Sequence, residues 1–222
     1  LCGGGGAARA AGPVSHRRLP GPRSPGVLYP SWRETLANTN PWLLGLAHIL
    51  TYGVYVALAT WSTTFLWQRH GVGLEWAGPL AALMAVSAVL GRILGGTLSV
   101  GRERTVMLVS CAGAAIFTAL FPLMPNLASS LVVLLGLGWF ASMPFGAVFS
   151  YIGKLSSSRV AGRGLAVINF VGNIGAFAFP PLVGYALDLS GSFILGFGAV
   201  ALVGLVGTLV LMMRLPRPEA RT

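Results

Sequence analysis

The sequence predicts an all-α membrane protein whose six transmembrane helices form two inverted sets of three. Three observations carry that expectation. Of 222 residues, 55% are hydrophobic and only 9% charged, and the mean hydropathy is +0.76. The apolar residues gather into six long runs, at 42–65, 76–98, 106–124, 127–151, 165–187 and 193–213. Almost all basic residues fall on one side of those runs. An ordinary soluble domain carries about a quarter charged residues, and a disordered chain would not hold so much apolar material. Both classes are excluded.

Each run is long enough to cross a bilayer. A hydrocarbon core about 30 Å thick needs roughly 20 apolar residues in a helix that rises about 1.5 Å per residue. Backbone groups in lipid must be satisfied within the segment, so uncharged runs of this length are helices. Inside all six, Arg92 is the one formal charge and His48 the one other titratable imidazole. None shows the polar face that a soluble helical bundle needs. The 31 glycines, poor for soluble helices, suit close contact between helices in lipid.

The connections set the orientation. One side collects Arg9, Arg17, Arg18, Arg23 and Arg33, then Arg102 and Arg104, then Lys154, Arg159 and Arg163, and finally Arg214, Arg217 and Arg221. The other side holds Arg69, with Glu75 and Asp188. By the positive-inside rule both termini are cytoplasmic. The net charge of +10 is therefore a topology signal, and nucleic acid is excluded as a partner. Residues 31–214 form the membrane part, entered through a short interfacial helix at Ser31-Trp32-Arg33-Glu34, with Trp32 and Trp42 as anchors. Residues 1–30, rich in Gly, Pro and Arg, read as a disordered cytoplasmic linker or a mistranslated stretch, and 215–222 as a cytoplasmic tail. The first residue is Leu, which reads as a fragment or a truncated gene model. Cys2 and Cys111 give neither a disulfide framework nor metal-ligand spacing. No phosphate-binding loop or nucleophile with a positioned base appears, so neither an enzyme nor a cofactor is expected.

The six runs divide into three plus three. Leu43-Leu44-Gly45-Leu46 in the first is echoed by Leu134-Leu135-Gly136-Leu137 in the fourth. The second and fifth carry glycine steps at Gly91/Gly95 and Gly172/Gly175. An odd number of crossings separates the sets, so they run in opposite directions, as inverted-topology repeats do. The link after the second run is more specific: Gly91-Arg92-Ile93-Leu94-Gly95-Gly96, then Thr97 to Val100, then Gly101-Arg102-Glu103-Arg104. It resembles the cytoplasmic loop signature of the major facilitator superfamily, with Ser99-Val100 where that family usually has an Asp. Phe179-Pro180-Pro181-Leu182-Val183-Gly184 is also similar to bacterial members. The resemblance covers residues 31–214 and implies the carboxyl-terminal half of a twelve-helix transporter in a bacterial plasma membrane. It further implies alternating access, with the first, second, fourth and fifth spans lining a midplane site. The partner would be the missing amino-terminal half or a second copy.

Arg92 is the sharpest single candidate. It lies six residues before the end of its run, about 9 Å deep at 1.5 Å per residue. Two readings stand: it snorkels to the headgroups, or its planar fork of five donors binds a small anion. Arg92-x-x-Gly95-Gly96-x-Leu98-Ser99 and Gly172-Asn173-Ile174-Gly175-Ala176 resemble segments of nitrate/nitrite porters, in which such an Arg binds the anion; Ala176 departs from the usual last Gly. Asn169 and Asn173, four apart, share a helix face. Asn169 is expected to bridge neighbouring helices and Asn173 to face a cavity. His48, Thr51, Tyr52 and Tyr55 should form one polar-aromatic stripe facing the bundle. Pro144, in the fourth run beside Trp139, Ser142 and Met143, and Pro180-Pro181 in the fifth are expected to kink their helices.

These readings converge on a secondary transporter for a small solute, inorganic anion or short carboxylate. The alternatives are an exporter of drugs or metabolites, with the aromatic stripe as an apolar wall, and a non-transporting scaffold or fragment. No Asp or Glu lies inside a run. Proton coupling would therefore need His48 or the missing half, and exchange without protons is the equal alternative.

Overall fold

The computed structural model describes residues 32–217. The expectations for residues 1–30, and for the end of the tail, lie outside the described residues. Helix α1 (Trp32–Ala37) is the expected short entry helix, and Asn38 starts the next helix by accepting from the Asn40 amide at 2.9 Å. The first span is composite: α2 (Thr39–His48), a π-helical turn (Ile49–Gly53) and α3 (Val54–His70). Then come α4 (Leu74–Leu98) and α5 (Glu103–Leu120), the latter closed by a 3₁₀ turn at Phe121–Leu123. The fourth span is α6 (Leu127–Ser142) followed by α7 (Phe145–Leu155). The last two spans are α8 (Ser158–Ser190) and α9 (Phe193–Arg214).

All six spans are helices long and apolar enough to cross a membrane. Their centres agree with the sequence reading, but their ends run further. Hydropathy finds only the part that must be in hydrocarbon, whereas helical hydrogen bonding continues through polar flanks such as Arg163 and Asp188. At 33 residues, α8 is about 50 Å long at 1.5 Å per residue, well beyond a core of about 30 Å.

The two sets of three exchange partners. The second span (α4) packs on the fourth through α6, and the fifth (α8) packs on the first through α2 and the π turn, while α5 lies against α9. The glycine steps make this possible. A Cβ on Gly91 would stand 2.7 Å from the Trp139 carbonyl oxygen, and one on Gly53 would stand 2.8 Å from the Gly175 backbone. Gly95 is pressed onto Met143 in the same way. In lipid, where apolar attraction between helices is weak, such backbone approach maximises van der Waals contact. The Leu-Leu-Gly-Leu echo is different: Gly45 meets Val171 of α8, but Gly136 meets Phe117 of α5, so the two glycines do unequal jobs.

The core is divided in two. One cluster holds Phe65, Phe121, Phe193 and Phe197, with Phe65 and Phe121 rings 4.4 Å apart. The other holds Met107, Tyr151, Ile152, Ile168 and Leu211. The first span passes between them at the π turn, with Leu50 in one cluster and Val54 in the other. The fourth span crosses at the break after Ser142, with Leu137 on one side and Ala147 on the other.

The cationic ends are bound together. Arg104 donates to the carbonyls of Met212 (2.7 Å) and Leu215 (3.1 Å), holding the last turn of α9 against the start of α5. Tyr151 donates to the Pro216 carbonyl at 2.8 Å, and Asn40 donates to that of Leu155 at 2.9 Å. The Arg163 guanidinium lies 5.1 Å from the Trp32 ring. Both chain ends of the described bundle thus share one end with the 98–103 link.

Candidate functional site

The candidate site forms in the layer where the two cores part. His48 is the last residue of α2, buried to 3% exposure, and its ring stacks on Tyr52 at 5.2 Å and 9°. Phe149 meets it edge-on at 5.6 Å and Phe145 lies 5.8 Å away, so rings from the first and fourth spans enclose the imidazole. A Cβ on Gly172 would collide with the imidazole, and glycine there lets α8 close on the first span.

Arg92 comes to this cluster from α4. Its Cζ sits 4.3 Å from the Phe145 ring centroid, a cation–π distance. Among the described residues no hydrogen bond or ion pair reaches its N–H groups. The described acids are committed or remote: Glu103 pairs with Lys154 at 2.5 Å, Glu34 on α1 has a partner of its own, and Glu75 and Asp188 belong to the opposite end. The guanidinium is therefore a planar cation with its edges open, on the exposed side of α4.

The stripe expected along the first span is only partly realised. His48 and Tyr52 stay together, and Thr51 is buried, donating to its own helix at the Ala47 carbonyl (2.9 Å). Tyr55 does not join them. A π turn takes in one extra residue and rotates all that follows. Tyr55 instead lines a groove of about 190 Å³ with Ser62 and with Ala81, Ala82 and Ala85 of α4. The expected inter-helix bridge at Asn169 is likewise absent among the described residues. Asn169 donates to the Leu165 carbonyl (3.1 Å) and Asn173 to that of Asn169 (2.8 Å), both within α8. Both stand on the open face of α8, and no described contact joins them to Arg92 or His48. Pro144 marks a true break, with α6 ending and α7 beginning around it, whereas α8 runs unbroken through Pro180 and Pro181. There Trp61 donates to the Pro180 carbonyl at 2.9 Å.

The loop motif is a tight turn, with Gly101 at φ +75° and the Arg102 amide donating to the Ser99 carbonyl at 2.8 Å. Sequence reasoning missed the acid that anchors it. Glu103 is 4% exposed and accepts from Lys154 of α7 and, at 3.3 Å, from the Gly101 amide. It also missed Phe145 and Phe149; their spacing of four, directly after a proline, is the signal that was available. A second cavity, of about 360 Å³ beside Arg69 and Ser192, contains none of the expected site residues.

Among the described residues, six helices able to cross a membrane, related three to three, with an open guanidinium six residues from the end of α4, define an inverted-repeat integral membrane protein. Comparison with known proteins gives that class its family. The sequence profile of the Major Facilitator Superfamily matches residues 7–180 and, in a second match, 100–222, and the chain belongs to that superfamily. A protein of Mycobacterium tuberculosis named a probable nitrate/nitrite transporter, NarK2, is 30% identical over 150 residues, covering 64% of this chain and 36% of its own. The nitrite extrusion protein of Bacillus subtilis is 28% identical, covering 74% of this chain and 42% of its own. A probable galactarate/D-glucarate transporter of the same species, GudP, is 28% identical over 72% of this chain and 38% of its own. The crystal structure of tetrameric PepTSo2 shares the fold at a TM-score of 0.63 and 18% identity, over 78% of this chain and 38% of that one. The chain thus spans about two fifths of the length of the relatives it matches.

Proposed function

We propose that this chain is the carboxyl-terminal half of a secondary transporter that moves a small anion, nitrate-like or a short carboxylate, by alternating access. The observation that carries the reading is Arg92: a cation within a membrane span, without an acidic partner among the described residues and with its donor edges open. Charges inside membranes are costly and pair with something. Planar anions accept two parallel hydrogen bonds from guanidinium. The named activities of the relatives, nitrate or nitrite in two and a sugar diacid in the third, share this chemistry. His48 and Tyr52 form one wall of the site, and Asn169 and Asn173 face the side that the other half would close. The cationic end faces the cytoplasm of a bacterial cell.

Isothermal titration of the purified full-length protein tests this. Nitrate, nitrite or a short dicarboxylate should bind to wild type, Arg92→Ala should abolish binding, and Arg92→Lys should weaken it about tenfold or more, because an ammonium lacks the fork. Equal affinity in wild type and Arg92→Ala would remove the anion reading and favour an apolar or neutral substrate.

A further inference from the structure

Resting on the anion reading, we infer that Phe145 is a positioning residue for Arg92: its ring pins the guanidinium and leaves the fork's edge free to meet the anion. The contact is a face contact, with Cζ 4.3 Å from the ring centroid. A guanidinium laid on a ring keeps its N–H bonds in its own plane, so stacking and in-plane anion binding are compatible. The ring itself is held. Phe149 meets it at 4.8 Å and 69°, and His48 at 5.8 Å and 60°. Without that support, the long Arg92 side chain on an exposed helix face would sample many rotamers, and each binding event would have to order it.

Phe145 also stands at a particular place in the chain. It is the first residue of α7, directly after the turn at Met143–Pro144. Arg92 lies on α4, which packs chiefly on α6, before that turn. The pinned state of Arg92 therefore requires a given angle between α6 and α7. A change in that angle would carry the ring from under the guanidinium and lower anion affinity, linking occupancy to the shape of the fourth span.

The test has two arms on the full-length protein in detergent. In the first, phenylglyoxal modification of Arg92 is followed by mass spectrometry without any anion. Phe145→Leu should raise the rate at least threefold, whereas Phe145→Tyr should leave it within twofold. In the second, nitrate affinity should fall about three- to thirtyfold in Phe145→Leu, the range expected for loss of a cation–π contact, and should be retained in Phe145→Tyr. Unchanged reactivity in Phe145→Leu overturns the pinning. Faster reaction with unchanged nitrate affinity, or equal loss in Leu and Tyr variants, overturns the positioning role. If nitrate binds neither wild type nor Arg92→Ala, the anion reading has failed and this role falls with it, even where the first arm shows the ring covering the guanidinium.

Discussion

Among the described residues, Glu103 and Arg92 are two charged side chains in contrasting company. Glu103 is nearly inaccessible but receives the Lys154 ammonium and a backbone amide. Arg92 has an aromatic ring and no acid. The first arrangement holds the 98–103 turn to α7; the second leaves binding capacity unused. Removing Lys154 strands a buried carboxylate, while removing the charge of Glu103 leaves a half-exposed lysine that water can solvate. Lys154→Ala should therefore cost about 2 kcal/mol in thermal unfolding in detergent, and Glu103→Gln clearly less. Arg92 was legible in the sequence because a charge inside an apolar run stands out. Phe145 was less legible: its spacing of four from Phe149 after Pro144 puts two rings on one helix face, but only the fold brings that face under Arg92.

At the scale of elements, glycine decides how closely the spans approach. The steps at Gly91/Gly95 and Gly172/Gly175 stood out in the sequence, and the structure gives them equivalent jobs against the fourth and first spans. Gly91→Ala would put a methyl 2.7 Å from a carbonyl oxygen that cannot move alone, so α4 and α6 must part. The expected loss is about 1–3 kcal/mol, read as a lowered melting temperature. Gly96→Ala, with nothing within 4 Å of its Cβ, is the matched control and should be neutral or slightly stabilising. The π turn at Ile49–Gly53 escaped the sequence reading for a physical reason. Its residues carry no pattern that separates a π turn from an α-helix, and the wider turn lies where Gly53 meets Gly175 of α8. That single added residue separates Tyr55 from His48.

For the whole molecule, charge placement and packing give one account. Six crossings put both described chain ends with Arg102 and Arg104, and direct contacts join those segments at one end. The opposite end carries Arg69. Single cysteines at Arg102 and Gln68, in a Cys2→Ser background, should label from opposite sides of the membrane: Gln68→Cys in intact cells, Arg102→Cys only after permeabilisation. Cys111 is fully buried and should stay silent. Large side chains remain open on α4 and α8, Val89 and Phe177 among them, on the same helix faces that expose Arg92 and Asn173. The chain spans 36% of one relative and 42% of another, and under the proposed transporter reading this open side is where a second six-helix unit would complete the site.

The most direct measurement is nitrate uptake into proteoliposomes carrying the full-length protein, comparing wild type with Arg92→Ala at matched incorporation and melting temperature. Saturable uptake that disappears in Arg92→Ala is the predicted result. Uptake of equal rate and half-saturation in both proteins would contradict it.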